Sequence, residues 1–207
     1  MHILGMMPDF VDEVVVVDNG SSDNSLQVAK SYNAKVFIEK KRGYGSALLK
    51  GLWHVSGHII AIMDGDGSYP VKMLEPLCSF MDQGNLDFVS GCRLPLSDRG
   101  AMPIINKVSN YFISILARRL FSIGLIDSQS GMMVFKKTIL DRIKISNCGM
   151  GLSQEIKIKC WLNSSIRCGE YHISYSPRIG EVKFKKARDG IKNLCDLLIL
   201  RTKIKRR

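Results

Sequence analysis

Residues 13–25 read EVVVVDNGSSDNS, and they decide the fold class. Four consecutive valines closed by Asp18 are too short for a helix and too continuously apolar for a half-exposed strand. They predict a strand buried on both faces. A turn rich in Gly and Ser follows, and Ser22 or Asp23 can cap a helix reaching to about residue 32. The same unit recurs along the chain. Further short strands are expected over 35–38, 59–63, 87–90 and 133–135, and an alternating one over 167–175. Helices are expected over 44–55, after Pro70, and over 103–122, 153–162 and 188–200. Strands alternating with helices predict an α/β fold of three layers around a mostly parallel central sheet. Ligands of such sheets sit beyond the carboxyl ends of the strands. Asp18, Asp64 and Arg93 all fall just past strand ends, so one rim is expected to carry the chemistry.

At that rim the chain reads IIAIMDGDGSYP over 59–70. Asp64 and Asp66 stand one residue apart, and like charges so close repel. A solvated polar turn is one reading. The other is a divalent cation: Mg²⁺ takes one or two protein carboxylates and leaves phosphates and water to complete its shell. Gly65 and Gly67 would let a diphosphate approach the backbone. The turn after Asp18, with Gly20 and Ser21, would form a nucleotide crevice. It is neither a phosphate-cradling P-loop nor a dinucleotide fingerprint, because neither spacing is present. KKRGYGSALLKG (40–51) sets three cations before a helix start, where anions are favoured. DSQSGMMVFKK (127–137) offers Asp127 and Gln129 to a pocket, and SPRIGEVKFKK (176–186) offers Arg178 and Lys183 to a phosphate. Each of these stretches is also readable as an ordinary turn or surface loop.

Length and composition bound the answer. The 207 residues suit one domain, and 45% hydrophobic with 24% charged residues excludes a disordered chain. Six cysteines form no CxxC pair and several fall inside apolar segments, so buried thiols in a reducing compartment are expected. His54 and His58 are four apart, but Gly57 between them argues against a shared helix face. The first residues lack the basic and apolar regions of a signal peptide. The apolar stretch 111–125 holds Arg118 and Arg119 and is shorter than the roughly 20 residues a membrane span needs. Of the net charge of +11, most sits in 183–207, which holds ten Lys or Arg against two Asp. Ile191, Leu194, Cys195 and Leu198 give that tail an apolar helical face. The expected division is a body over 1–182 and a basic amphipathic tail helix over 183–207. Phe184 is the one aromatic among the tail's cations, too few to interleave them for base stacking, so nucleic acid is not the expected partner. An anionic membrane or a phosphorylated substrate is.

Taken together and in order, VVVVDNGSSDNS, RGYGSALLKG, IIAIMDGDGSYP, DFVSGCR, RGAMP, DSQSGMMVFKK, GMGLSQE and SPRIGEVKF resemble the inverting family 2 glycosyltransferases that include dolichol-phosphate mannose and polyprenyl-phosphate glucose synthases. The resemblance spans residues 13 to about 200. It implies a GT-A type, Rossmann-like fold and transfer of a hexose from a nucleotide sugar (GDP-mannose or UDP-glucose type) to a polyprenyl or dolichyl phosphate. It implies that Asp18 touches the nucleoside, and that Asp64 and Asp66, with Ser68 beside them, hold Mg²⁺ or Mn²⁺ and the diphosphate. Arg93 is then a phosphate contact, Asp127 and Gln129 lie near the reacting sugar, and Glu155 belongs to the acceptor half. Arg178 and Lys183 form the phosphate clamp. Asp66, Asp127, Arg178 and Lys183 are the expected catalytic set.

Two departures from the family pattern stand out. The family's opening strand has no counterpart, and residues 1–12 resemble the stretch after it. Neighbouring strand edges are then expected to be exposed. Val182 stands where the family's turn has a hydroxyl. Two other readings stay open: transfer to a sugar hydroxyl, with Asp127 or Glu155 as base, and a non-catalytic remnant or regulatory subunit. A peripheral position at the cytoplasmic face of a membrane is expected, with a membrane-protein partner or a second copy left open.

Overall fold

A computed structural model describes residues 3–95, 102–179 and 186–205. The RGAMP stretch up to residue 101 and Lys183 with its neighbours over 180–185 lie outside the described residues. The valine run forms β1 (Val15–Asp18), followed by α1 (Ser25–Ser31) and β2 (Lys35–Ile38). β2 pairs parallel with β1, Val15 opposite Lys35 and Asp18 opposite Ile38. α2 (Tyr44–His54) then crosses back over β1, and Gly51 lets the helix approach Val17. It leads to β3 (Ile59–Ile62), and α3 (Leu74–Gln83) follows after a 3₁₀ turn. Next come β4 (Phe88–Cys92), the long α4 (Ile104–Phe121), β5 (Met133–Lys136) and the short α5 (Ile139–Arg142). α6 (Leu152–Leu162), β6 (Cys168–His172) and α7 (Lys186–Lys205) complete the order.

The α/β expectation holds, with two differences in the sheet. First, the strands form two sheets, β1-β2 and β3-β5-β4-β6. Among the described residues no strand pairs with the second edge of β1 or with that of β3. Residues 14–17 and 59–62 line one cavity of about 1740 Å³. The exposed edges expected from the sequence are these two. Second, β5 runs antiparallel to both β3 and β4, while β4 and β6 are parallel. The reason is where β5 starts. Ile62 at the end of β3 pairs with Met133 at the start of β5, so residues 127–132 arrive at the same rim as the strand ends.

Alternation along the central strands feeds two cores. Phe88, Met133 and Phe135 pack with Leu52, Ile60 and Ile156 on the α2/α6 side. Val89, Met132 and Val134 pack with Leu74, Leu77 and Met81 on the α3 side. Each such side chain contributes about 1.5–3 kcal/mol when fully buried. A third cluster joins α4, α6 and α7 through Ile113, Ala117, Phe121, Ile158, Leu197 and Leu200. Here the expected tail face is rotated. Leu197 and Leu200 are buried, whereas Cys195 and Leu198 are exposed. Docking against Phe121 and Ile158 selects one of two apolar stripes that periodicity alone does not rank. β6 is also shorter than expected. Past Ile173, whose N–H still donates to Cys92 O, the chain leaves the sheet, and 176–179 bond across to the Asp-Gly-Asp turn: Ser176 N donates to Ser68 O and Ile179 N to Asp66 O.

The start of α2 is held by a close approach. A Cβ on Gly45 would lie 2.3 Å from the Gly149 carbonyl oxygen and 2.4 Å from that of Cys148. Gly45→Ala is therefore expected to destabilise the chain by about 1–3 kcal/mol, despite alanine's better helix propensity. Urea unfolding measures it, and an unchanged midpoint would contradict this packing.

Candidate active site

Three strand ends and one strand start build the rim. At the end of β1, Asp18 folds back on its own turn, accepting from Gly20 N at 3.3 Å and Ser21 N at 3.1 Å. Gly20 has φ +81°, and the Arg42 guanidinium lies over it. Asn19 ties the next loop to the rim, donating to the carbonyls of Glu39 and Lys41 and accepting from Gly43 N at 2.6 Å. The KKRG cations are thereby brought beside the Asp18 turn. Sequence reading singled out Asp18 and the three cations over 40–42 but passed over Asn19.

After β3, Asp66 caps its own turn, accepting from Ser68 N at 2.9 Å and Ser68 Oγ at 2.5 Å. Its other oxygen meets Arg178 Nε at 2.6 Å. The expected phosphate clamp thus pairs with an expected metal ligand. Gly67, at φ +79°, carries Ile179 directly above it, which explains a glycine in that place. Asp64 lies against the backbone of Gly131, where a Cβ would come within 3.3 Å of both carboxylate oxygens. Burial first, and the Asp66 charge second, push the Asp64 carboxyl up to about 6, against the opposing pull of Arg178 and Arg93.

After β4 the pairing is closed rather than open. Arg93 is 5% exposed and Asp127 fully buried. Arg93 grips Asp127 with Nε at 2.8 Å, Nη2 at 3.0 Å and its backbone N at 3.0 Å. Burial alone would raise the Asp127 carboxyl. The Arg93 guanidinium outweighs it and holds the group at about 2. Arg93 also lies over the Tyr175 ring, 5.2 Å from its centroid. Glu170 accepts from the backbone N–H groups of Ile126 and Asp127. Lys157 Nζ donates to the carbonyls of Asp127 and Ser130, and burial pushes this ammonium down to about 8. The 126–131 loop is therefore fixed from three sides, with Tyr69 Oη accepting from Gly131 N at 2.6 Å. Lys157 and Glu170 were missed by sequence reading. The signal at Lys157 was faint, because α6 also carries Glu155 and Lys159 and a lysine between Ile156 and Ile158 reads as one more charge of that helix, while Glu170 stands between Gly169 and Tyr171 in a short strand.

Gln129 faces the cavity and accepts from Asn193 Nδ2 of α7 at 3.1 Å. The tail helix thus reaches the rim. Glu155, expected in the acceptor half, is turned away from it. It accepts from Ser146 N and Oγ and Asn147 N, and pairs with Lys159. Asp64, Gly65, Asp66, Arg93, Gln129 and Arg178 line the cavity together. Asp18, Gly20, Ser21, Ser68, Asp127 and Glu155 stand behind it or beside it. Among the described residues no three His, Cys, Asp or Glu side chains form a complete metal cage. Asp64 and Asp66 supply two hard oxygen donors, a set that suits Mg²⁺ or Mn²⁺ when substrate oxygens share the ion.

Comparison with known proteins follows the same lines. A family model described as Glycosyl transferase family 2 matches residues 4–143. A dolichyl-phosphate hexose transferase of Haloferax volcanii is 30% identical over 180 residues, covering 86% of this chain and 76% of that protein. A low-salt glycan biosynthesis hexosyltransferase, Agl6, of the same organism is 28% identical over 197 residues. The chain spans 45% of its length. Among solved structures, glucosyl-3-phosphoglycerate synthase of Mycobacterium tuberculosis with Mn²⁺, UDP-glucose and phosphoglyceric acid superposes with a TM-score of 0.69 at 18% identity, covering 93% of this chain and 69% of that one. The likeness establishes a GT-A type fold for the chain.

Proposed function

The chain belongs to glycosyl transferase family 2, and from that premise we propose that it transfers a hexose from a nucleotide sugar to a polyprenyl or dolichyl phosphate. The observation that carries the choice of acceptor is the state of two carboxylates. A hydroxyl acceptor must lose its proton to a base within hydrogen-bond reach. Asp127 is sealed under Arg93, and Glu155 is committed to Ser146, Asn147 and Lys159. A phosphate monoester, with a second pKa near 6, is already ionised at neutral pH and needs cations rather than a base. Asp127 then acts through others: it locks Arg93 and the 126–131 loop so that Gln129 and the arginine face the donor.

Asp64 and Asp66 would hold Mg²⁺ or Mn²⁺. When bound, such an ion offsets the charge that builds on the departing nucleoside diphosphate. Asp66 meets Arg178 Nε in the structure, so engagement of Asp66 elsewhere would let that Nε turn toward phosphate oxygens, with Lys183 five residues further along the sequence. In-line attack by the acceptor phosphate inverts the anomeric carbon. Asp18, Gly20 and Ser21 frame the nucleoside end. A peripheral position at the cytoplasmic face of a membrane belongs to the same proposal, and the basic α7 end and the lipid nature of the proposed acceptor support it.

The test is a panel of radiolabelled nucleotide sugars, including GDP-mannose and UDP-glucose, with Mn²⁺ or Mg²⁺ and polyprenyl phosphate. Label should pass into the organic phase for at least one donor. Transfer to a sugar hydroxyl but not to the lipid would replace this reading with the hydroxyl acceptor. Silence across the panel would favour a non-catalytic subunit.

A further inference from the structure

We propose that the outward face of α4 docks on an anionic lipid bilayer and holds the cavity mouth against it. The helix is apolar on two opposite sides. Ile113, Ser114, Ala117 and Phe121 are buried toward the protein. Ile104, Ile105, Val108, Tyr111 and Phe112 cover roughly a third of the circumference on the other side, at 3.6 residues per turn. Those five are 56–78% exposed. A helix apolar on both faces is expected to be covered on both, and a contiguous exposed apolar patch marks an interaction surface.

Charge and continuity identify what covers it. Arg118 and Arg119 are exposed at the end of the same helix, and the chain carries +11 overall. A second copy seated on this face would bring its own arginines and the same net charge, whereas an anionic bilayer complements them. Tyr111 suits the boundary between headgroups and hydrocarbon, with an apolar ring and a polar tip. Pro103, Asn106, Ser109 and Asn110 of this helix line the cavity together with Arg93 and Gln129. A lipid surface lying on the stripe would therefore sit beside the site. A phosphate headgroup could reach the cations while its chain stayed in the bilayer. The inference deepens the lipid-acceptor reading and takes its purpose from it, but it stands on the helix itself.

Flotation of the whole chain with phosphatidylglycerol/phosphatidylcholine vesicles tests it, against vesicles of phosphatidylcholine alone. The protein should float with the anionic vesicles. The double variant Ile105→Glu/Phe112→Glu should partition at least tenfold more weakly, and both positions are exposed enough for the fold to survive. Trp53→Glu, at an 87% exposed position on α2, should bind as the parent does. The proposal is overturned if the parent does not float, or if the double variant floats equally well. It is also overturned if the parent is a dimer that the double variant dissolves, since a second copy would then own the stripe. Flotation needs neither donor nor metal. A protein that floats but never transfers sugar overturns the proposed reaction alone. One that glycosylates polyprenyl phosphate in detergent yet ignores vesicles overturns the docking alone.

Discussion

Asp127→Ala is expected to lower the stability of the folded chain by about 3–5 kcal/mol, a large share of the 5–15 kcal/mol typical of a domain. The substitution strands the Arg93 guanidinium, 5% exposed, with no carboxylate partner. It also removes the acceptor for the Gln129 backbone N–H, which donates to Asp127 Oδ1 at 3.1 Å. Replacing both partners with apolar residues, as in Arg93→Met/Asp127→Leu, should cost much less than the sum of the single changes, because neither member of the pair is left buried without the other. The acid dependence has a definite sign. The folded-state group sits at about 2, below the roughly 3.9 of a free aspartate. Its contribution is whole above about pH 4 and is lost as pH falls toward 2. The difference between parent and Asp127→Ala should narrow over that window. Urea unfolding at several pH values measures it, and a single-variant loss below about 1 kcal/mol would show that the pair is not structural.

Asp66→Asn is expected to lower sugar transfer by at least about a hundredfold, the scale of losing one preorganised electrostatic contact in a site, while the fold stays intact. Asparagine Oδ1 can still accept from Ser68 N and Ser68 Oγ, so the turn survives. What is lost is the negative charge that pairs with Arg178 and, in the proposed reaction, would answer a divalent ion. Asp64→Asn should reduce transfer on a similar scale and yet leave stability unchanged or raise it. In the absence of an ion, burial and the neighbouring Asp66 charge already work against ionised Asp64. Transfer assays paired with thermal melts test the proposed division of roles, Asp127 for the fold and Asp64 and Asp66 for the reaction. Equal activity in Asp66→Asn and parent would remove this carboxylate from the chemistry.

The α/β class was legible because short β-branched runs and amphipathic helices leave different periods; 13–18 and 59–63 do form strands, but the burial expected of them does not hold throughout, since the β1 valines are half-buried and β3 alternates exposed and buried residues. The Asp-Gly-Asp rim was legible because nothing in packing calls for two adjacent carboxylates there. The direction of β5 was not, since a short apolar run such as 133–135 reads the same either way. Pairing was hidden for a similar reason. The sequence offered Arg93, Asp127, Asp66 and Arg178 as four polar groups, and only the fold joins Arg93 to Asp127 and Arg178 to Asp66. Those partners are 34 and 112 positions apart in the chain. Glu155 was drawn into the site by family resemblance, and its side chain is spent on the 146–147 backbone. The buried face of α7 depended on Phe121 and Ile158, which no local pattern reveals.

The central claim is that the carboxylates at the rim bind a divalent ion that in turn holds the donor's diphosphate. Calorimetric titration of UDP and of GDP into the protein, with Mn²⁺ and then with excess chelator, tests it most directly. At least one of the two should bind saturably with Mn²⁺, and its affinity should fall tenfold or more on chelation or in Asp64→Asn and Asp66→Asn. Binding of equal strength with and without the ion, and in both variants, would contradict the account.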